Sequence, residues 1–354
     1  MKILKSLFVI SVLFLASCKK DEKTDETPEE NKNYLNGKYV VNEGSFNQNN
    51  ASLSFIDAEE SITNDIYLQQ NGTELGDILQ SFTVIGENGY AVVNNSQKIE
   101  VVSLQDFKNI GTIEGVDYPR YLLKGENQKA YISNGGMEGA VKVLDLSTNT
   151  ITSSIAVGNG PEKMVIANDY LFVCNSGGFT TDNTVSVINI NSNEVVSNIV
   201  VGDRPSDIVK DVFGNVWVLC SGETLYDENW NIVGNTNAAL YRINIAALAV
   251  TANEQIGVNG DHPLNLEVSP SGDVLYYENN GVFAFNLLTG ELPGNEIIAD
   301  DRGSLNVDPS TGEIWCASVS DFSTPSTLWL YNANGSALKS FTTGIGTNAV
   351  AFPD

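Results

Sequence analysis

Histidine is almost missing from this sequence, since the 354 residues include only one, His262. A metal site built from several histidines is therefore excluded, and a hydrolase that pairs serine with a histidine base would have to use this single residue. The chain also lacks the G-x-S-x-G pattern that positions the nucleophile of α/β-hydrolases. These absences argue against most histidine-dependent enzyme mechanisms.

Basic residues are scarce as well. The chain has 19 lysines and arginines against 44 aspartates and glutamates, a formal net charge of −25 at pH 7. Such a field repels phosphate backbones and anionic lipid headgroups. We therefore expect no nucleic-acid partner.

Cysteine is limited to four residues. Cys174, Cys220 and Cys316 each lie near the end of an apolar, strand-like run, and their spacing does not resemble a zinc knuckle. The pattern predicts three buried thiols. The remaining cysteine, Cys18, belongs to the amino-terminal segment.

Long hydrophobic runs are also lacking. The apolar run at residues 7–15 is too short to span a bilayer, and with the preceding lysines and the small residues that follow it predicts a signal peptide over residues 1–17. The sequence LASC at its end resembles the lipobox of bacterial lipoproteins, which implies lipidation of Cys18. Residues 18–36 are polar and acidic, predict a flexible tether, and resemble the export tags of Bacteroidota surface lipoproteins. We expect a protein anchored to the outer membrane by lipid alone and displayed on the cell surface.

The rest of the chain is repetitive. A turn with proline or glycine, an apolar segment, a polar turn and a second apolar segment recur at 117–134, 159–175, 203–221, 261–279 and 301–318. The repeats are spaced at roughly 40 to 45 residues, with one longer interval that contains an insertion. Alternating apolar and polar residues predict four short β-strands per repeat.

Repeats of this length predict an all-β fold, a seven-bladed β-propeller of four-stranded blades over residues 37–354. The domain opens with GKYVVNEGSF, which matches the second strand of a repeat, and ends with GTNAVAFPD, which matches a first strand. The carboxyl-terminal strand should therefore complete the first blade and close the ring.

The sequences at 157–161, 171–175, 185–190 and 195–202 (VGNGP, LFVCN, VSVINI and VVSNIVVG) resemble the YncE-like family of seven-bladed propellers. The opening YVVNEGSFNQNNASLSFID, together with the lipobox and tether, resembles the surface lipoproteins that capture vitamin B12 for a TonB-dependent outer-membrane transporter. That resemblance implies a corrinoid as ligand and such a transporter as partner.

In four-stranded blades, the loops that enter the first strand and those that join the second and third strands share one face around the central channel. On that face, aromatic rings, amides and arginines suit a large ligand with apolar faces and amide or phosphate edges. The predicted ligand-binding residues are Phe46, Asn94, Tyr118, Arg120, Asn134, Asn175, Phe179, Arg204, Trp230, His262, Asn279, Arg302 and Phe322.

His262 occupies the variable position before the proline of a repeated loop, as Tyr118 and Arg204 do in other blades. This position indicates a ligand contact and not a catalytic motif. We expect no catalytic residue, resident metal or cofactor.

Three alternatives remain open: a protein-interaction scaffold of the cell envelope, a cofactor-free isomerase or lyase using Arg204, Arg302 and His262, and a calcium-dependent lactonase-like enzyme. The last would need carboxylates that converge, for which the candidates are Glu43, Glu138, Asp182, Glu223, Glu278 and Asp321.

Overall fold

The computed structural model describes residues 33–136, 138–258, 260–299, 303–319 and 321–353, and residues 33–354 form one compact unit. The predicted signal peptide, the lipidation of Cys18 and the tether up to residue 32 lie outside the described residues. Tyr34, assigned by sequence to the tether, is buried in a core cluster with Tyr39 and Phe107. No described helix is long and apolar enough to cross a membrane.

Seven antiparallel sheets form the blades of a ring, which confirms the predicted propeller. The first sheet combines the first three strands with the last one: β1 (Gly37–Asn42), β2 (Ser52–Asp57), β3 (Ile62–Thr63) and β29 (Thr347–Ala351). A short helix, α1 (Ile66–Asn71), follows. Blade 2 consists of β4 (Leu79–Ile85), β5 (Asn88–Val93), β6 (Lys98–Ser103) and β7 (Asn109–Ile113). Blade 3 consists of β8 (Pro119–Lys124), β9 (Lys129–Asn134), β10 (Ala140–Asp145) and β11 (Thr150–Ala156). Blade 4 consists of β12 (Pro161–Ala167), β13 (Tyr170–Asn175), β14 (Thr184–Asn189) and β15 (Glu194–Val200).

Blade 5 carries the insertion as a separate β-hairpin. Blade 5 consists of β16 (Pro205–Lys210), β17 (Asn215–Cys220), β20 (Ala239–Asn244) and β21 (Ala249–Gln255), and its hairpin of β18 (Thr224–Tyr226) and β19 (Ile232–Asn235). Blade 6 contains β22 (Leu264–Val268), β23 (Val274–Glu278) and β24 (Val282–Asn286). Blade 7 consists of β25 (Asn306–Val307), β26 (Ile314–Ser318), β27 (Pro325–Tyr331) and β28 (Ala337–Ile345). Among the described residues, blade 6 has three regular strands, and its fourth position is marked by one bridge between Val282 and Ile298.

The ring closes as the sequence predicts. Strand β29 pairs antiparallel with β1, Val40 opposite Val350 and Val41 opposite Ala349. Val350 then packs with Val40 and with Trp315 of blade 7. Strands β1 and β29 thus share one blade, whose apolar face also covers its neighbour.

The core lies between adjacent blades, because each sheet buries apolar side chains on both faces. One cluster, for example, joins Phe172 and Val187 of blade 4 to Val216 and Val218 of blade 5. Cys174 and Cys220 are free, buried thiols within it, as predicted, and Cys316 is also buried. This packing gives the channel a wall of seven inner strands.

The inner strands begin irregularly. The pairing register shifts at the start of β4, β8, β12, β16 and β22, and between β1 and β29. A β-bulge bends the strand and re-aims the side chain at that point. In this ring the bulges direct polar residues into the channel.

Candidate ligand-binding site

The channel opens into a cavity of about 1080 Å³, called the channel cavity below, on the face where the inserted hairpin rises. We call this side the top face. The rim includes Phe179, Arg204, Trp230 and His262, and inner-strand residues such as Tyr121 form the floor. The volume is at the upper end of those typical of small-molecule sites.

Two aromatic rings at the rim are strongly exposed. Trp230 is 82% exposed and Phe179 is 72% exposed. Phe179 meets Tyr118 edge to face, with 5.8 Å between ring centroids. Exposed large aromatics at the mouth of a cavity are typical of surfaces that bind a partner or ligand.

The turn of the hairpin is fixed locally. The Asp227 carboxylate accepts hydrogen bonds from the backbone N–H groups of Asn229 and Asn231, at 2.8 and 2.9 Å. Trp230 takes the left-handed conformation at this turn, with φ 64°. Its ring lies 6.0 Å from that of Tyr226, and both line the channel cavity.

His262 joins the base of the hairpin to blade 6. Its Nδ1 lies 2.9 Å from the Ser221 carbonyl oxygen, and its Nε2 lies 3.0 Å from Thr224 Oγ1. The ring therefore bridges two blades at the rim.

An ion pair spans blades 3 and 4 below the rim. The Arg120 Nε donates to both carboxylate oxygens of Glu162, at 2.9 and 3.1 Å, and its Nη1 donates to Gln80 of blade 2. Tyr121 lies in the floor beside them, and burial raises the pKa of its phenol. Three blades are thus tied at the floor by one guanidinium.

A second charged group spans blades 4, 5 and 6. The Lys163 ammonium lies 2.5 Å from Asp207 and 3.9 Å from Glu267. Burial lowers the pKa of Lys163, but the two carboxylates outweigh that effect and hold it above its usual value. Burial raises the pKa of Glu267 to about 7, against the opposing effect of Lys163. The floor therefore contains an acid that titrates near neutral pH.

A second, smaller cavity of about 390 Å³ adjoins the first, and we call it the side cavity. Phe46, Phe322 and Asn94 line it together with Ile78, and it shares Glu43, Gln80 and Arg120 with the channel cavity.

The predicted residues separate into two groups. Eight of those described line a cavity: Phe46, Asn94, Arg120, Phe179, Arg204, Trp230, His262 and Phe322. Tyr118 reaches the rim through Phe179. Arg302 lies outside the described residues.

Three predicted asparagines serve the scaffold instead of lining either cavity. The Asn134 side chain accepts a hydrogen bond from the Asp117 N–H at 2.6 Å, and that of Asn279 donates to the Ile256 carbonyl at 3.0 Å. Asn175 is fully buried and donates to Ser186 Oγ at 3.0 Å. Asn94 also donates to a backbone carbonyl, that of Pro119 at 3.0 Å, although it lines the side cavity.

Sequence reasoning missed the floor: Tyr121, Glu162, Lys163, Asp207 and Glu267. The available signal was charge inside otherwise apolar first strands, most visibly in PRY and PEK directly after the repeated proline. Such charges require partners when buried.

The candidate lactonase carboxylates do not converge among the described residues. Asp182 bonds within its own loop to Thr184, Asp321 bonds to Ser323, and Glu278 accepts from Asn265 and from the Gly303 N–H. No group of three or more potential metal ligands is found in the part of the chain that the structure describes.

Solved structures share the fold at low sequence identity. A functionally unknown protein from Desulfotomaculum acetoxidans superposes with a TM-score of 0.65 at 17% identity, over 90% of this chain and 100% of that one. A quinoprotein alcohol dehydrogenase-like protein from Bacteroides thetaiotaomicron gives 0.64 at 16%, over 91% and 79%. Hydrazine synthase from Kuenenia stuttgartiensis gives 0.59 at 17%, over 78% and 90%.

No curated protein matches the chain by sequence. A family model described as a domain of unknown function, DUF5074, matches residues 36–350, which is almost the whole propeller. The chain therefore belongs to the DUF5074 family.

Proposed function

We propose that this protein captures a large ligand in the channel cavity of its top face. The observation that carries the proposal is the placement of two strongly exposed aromatic rings, Trp230 and Phe179, at the rim of a preformed opening of about 1080 Å³. Binding to a preformed site requires little ordering of the protein.

The chemistry of the cavity indicates what kind of ligand would fit. Trp230, Tyr226 and Phe179 offer apolar faces at the rim, and the floor offers fixed donors and acceptors such as Lys163 and Glu162. A ligand with a flat apolar body and hydrogen-bonding edges would match both the rim and the floor.

A corrinoid is the candidate we put forward, because its macrocycle is flat and bears amide groups around its edge. The sequence resemblance to vitamin B12-capturing lipoproteins supports the same candidate. In this proposal Cys18 carries a lipid that holds the protein on the cell surface, and the ligand is handed to an outer-membrane transporter.

Calorimetry with cyanocobalamin on residues 33–354, the compact unit, tests the ligand. We expect tight binding that Trp230→Ala weakens about tenfold or more, since aromatic anchors dominate such contacts. The matched control is Phe213→Ala, an exposed phenylalanine in the turn between β16 and β17, away from both cavities. Absence of heat at high protein concentration would exclude the corrinoid.

Metabolic labelling with a palmitate analogue tests the anchor. We expect incorporation in the full chain and none after Cys18→Ser. Protease treatment of intact cells should then remove the propeller from the surface, and its full protection would contradict surface display.

A further inference from the structure

The side cavity lies where blades 7, 1 and 2 meet on the top face. Phe46, 66% exposed, and Phe322, 53% exposed, both line it, and its volume of about 390 Å³ is near the lower limit for a small-molecule site. It has room for one ring system and not for a whole macrocycle.

The loop that carries Phe46 is fixed by a buried carboxylate. Asp77 accepts hydrogen bonds from the Asn47 backbone N–H at 3.0 Å and from the Asn95 side chain at 2.6 Å. This one group ties together loops of blades 1 and 2. The adjacent ring of Phe46, which is 66% exposed, is therefore carried by a fixed backbone.

The loop that carries Phe322 is fixed in a similar way. The Asp321 carboxylate accepts hydrogen bonds from the Ser323 hydroxyl at 2.8 Å and from the backbone N–H groups of Ser323 and Thr324, both at 2.8 Å. The Ser323 hydroxyl bond first, and then these backbone bonds and that of the Thr324 hydroxyl, lower the pKa of Asp321 to about 2. The Ser45 hydroxyl donates to the Phe322 carbonyl oxygen, which links this loop to that of Phe46. The two phenylalanines thus belong to one hydrogen-bonded framework.

Two polar side chains in the floor of the side cavity keep unused hydrogen-bonding capacity among the described residues. Arg120 uses Nε for Glu162 and Nη1 for Gln80, and its Nη2 has no partner among the described residues. The Glu43 carboxylate receives no hydrogen bond from them either, and burial raises its pKa while Arg120 lowers it.

The backbone in the wall is strained. Ile78 takes φ 62°, a left-handed conformation that is a genuine outlier for a β-branched residue. It is held there by the N–H of Asn94, which donates to the Ile78 carbonyl at 2.8 Å. Strain of this kind concentrates at ligand sites.

We propose that the side cavity is a subsite for a flat nitrogen heteroaromatic ring, which contacts Phe46 and Phe322 with its faces and reaches Glu43 and Arg120 with its edge. In a ring that carries an N–H or an amino group, that group would donate to the Glu43 carboxylate, and a ring nitrogen or oxygen would accept from Arg120 Nη2. A free anion is disfavoured, because the Glu43 carboxylate would repel it.

This inference deepens the proposed function and rests on it in one respect: the ring would be an appendage of the ligand whose body occupies the channel cavity. The two cavities meet at Glu43, Gln80 and Arg120, so one molecule could extend into both.

Ligand-observed NMR titrations of residues 33–354 with adenine and with benzimidazole test the subsite. We expect weak but saturable binding that Phe46→Leu and Phe322→Leu each reduce roughly tenfold, the usual effect of losing a stacking ring. The matched control is Phe213→Leu, since Phe213 is 51% exposed and lines neither cavity. A further variant, Phe179→Leu, shows whether the probe binds instead at the rim of the channel cavity. Cyclohexanecarboxamide, which is not planar, should bind at least tenfold more weakly.

The role of Glu43 has its own readout. Benzimidazole should bind several-fold more tightly than 1-methylbenzimidazole, which lacks the N–H, and Glu43→Gln should reduce that difference. Equal affinities of the two probes in the unmodified protein would overturn the assignment of Glu43.

The outcomes separate the two proposals. If the ring probes bind in a way that depends on Phe46 and Phe322 but cyanocobalamin does not bind, the subsite is supported and the corrinoid is excluded as the ligand. Ring binding that is insensitive to both leucine changes but lost in Phe179→Leu overturns the subsite, as does no binding at millimolar probe.

Discussion

His262 shows how an isolated residue acquires a role from its neighbours. Both ring nitrogens lie within hydrogen-bond distance of the hairpin segment, at Ser221 and Thr224, while the ring itself lines the channel cavity. Its side chain is largely exposed, so it contributes little to the core. The residue positions the hairpin and touches the space where we expect the ligand.

We predict that His262→Ala weakens ligand binding several-fold and changes the free energy of unfolding by only about 0.5 kcal/mol, as for most exposed substitutions. Calorimetry and denaturant unfolding measure the two effects. Gln255→Ala is the control, because Gln255 also bonds a nearby loop, at Gly257, but does not line the cavity. Unfolding of the alanine variant would show instead that the loop is essential to the scaffold.

Glu267 makes stability depend on pH. Its pKa is raised by burial from 4.5 to about 7, so the folded protein binds this proton more tightly than the unfolded chain does. The resulting stabilisation is fully present below pH 4.5 and is lost as pH rises through about 7. The shift corresponds to about 3 kcal/mol.

We therefore predict that Glu267→Gln removes the loss of stability with rising pH. The free energy of unfolding of the variant should rise relative to that of the unmodified protein between pH 4.5 and 8. Gln keeps the shape of the side chain and can still accept the hydrogen bond from Asn306. Urea unfolding at several pH values measures the difference, with the exposed Glu291→Gln as control. Parallel pH curves for Glu267→Gln and the unmodified protein would contradict the assignment.

At the scale of elements, the inserted hairpin is separable from its blade. Strands β17 and β20 pair with each other from Asn215 opposite Asn244 to Cys220 opposite Ala239, and the hairpin pairs only with itself. It leaves Leu225, Ile232 and Val233 exposed in addition to its aromatic rings. Such an element contributes contacts for binding and little to the core.

Replacing residues 223–236 by Asn-Gly should therefore leave the propeller folded, with Tm changed by only a few degrees, and abolish capture in the channel cavity. Asn-Gly suits a tight turn between antiparallel strands. Circular dichroism and calorimetry give the two readouts. Retained ligand affinity in this variant would show that the hairpin is not part of the binding site.

The sequence predicts the blades but not the floor of the channel cavity. The blades could be predicted because strand alternation and the repeated proline are local signals that recur. The floor was missed, because Glu162 and Lys163 lie at a bulge at the start of β12, where strict alternation does not assign a residue to a face. Asn134 and Asn175 end the second strands of their blades, but their bonds to Asp117 and Ser186 direct the side chains into the scaffold.

For the whole molecule, ring closure is the feature on which the site depends. The channel cavity is lined by inner strands from all seven blades, including Asn348 to Ala351 of β29. If two blades separated, the channel cavity would widen and the side chains that face each other across it would move apart. The pairing of β1 with β29 inside blade 1 is what joins the last strand of the ring to the first.

Truncation before Thr347 tests that dependence. The change removes β29, leaves β1 as an unpaired edge, and takes Val350 away from its contacts with Val40 and Trp315. We expect Tm to fall by roughly 10 °C or more, with aggregation at the open edge. Scanning calorimetry and light scattering measure both effects.

Truncation after Phe352 is the control, because it keeps β29 and the partly buried Phe352 that packs in the same cluster. That variant should match the full propeller in Tm and in ligand affinity. Addition of a synthetic peptide of residues 346–354 should restore part of the lost stability, since the strand pairs through its backbone with β1. Equal Tm values for the two truncations would mean that the ring is held by blade contacts alone and that closure by β29 is dispensable.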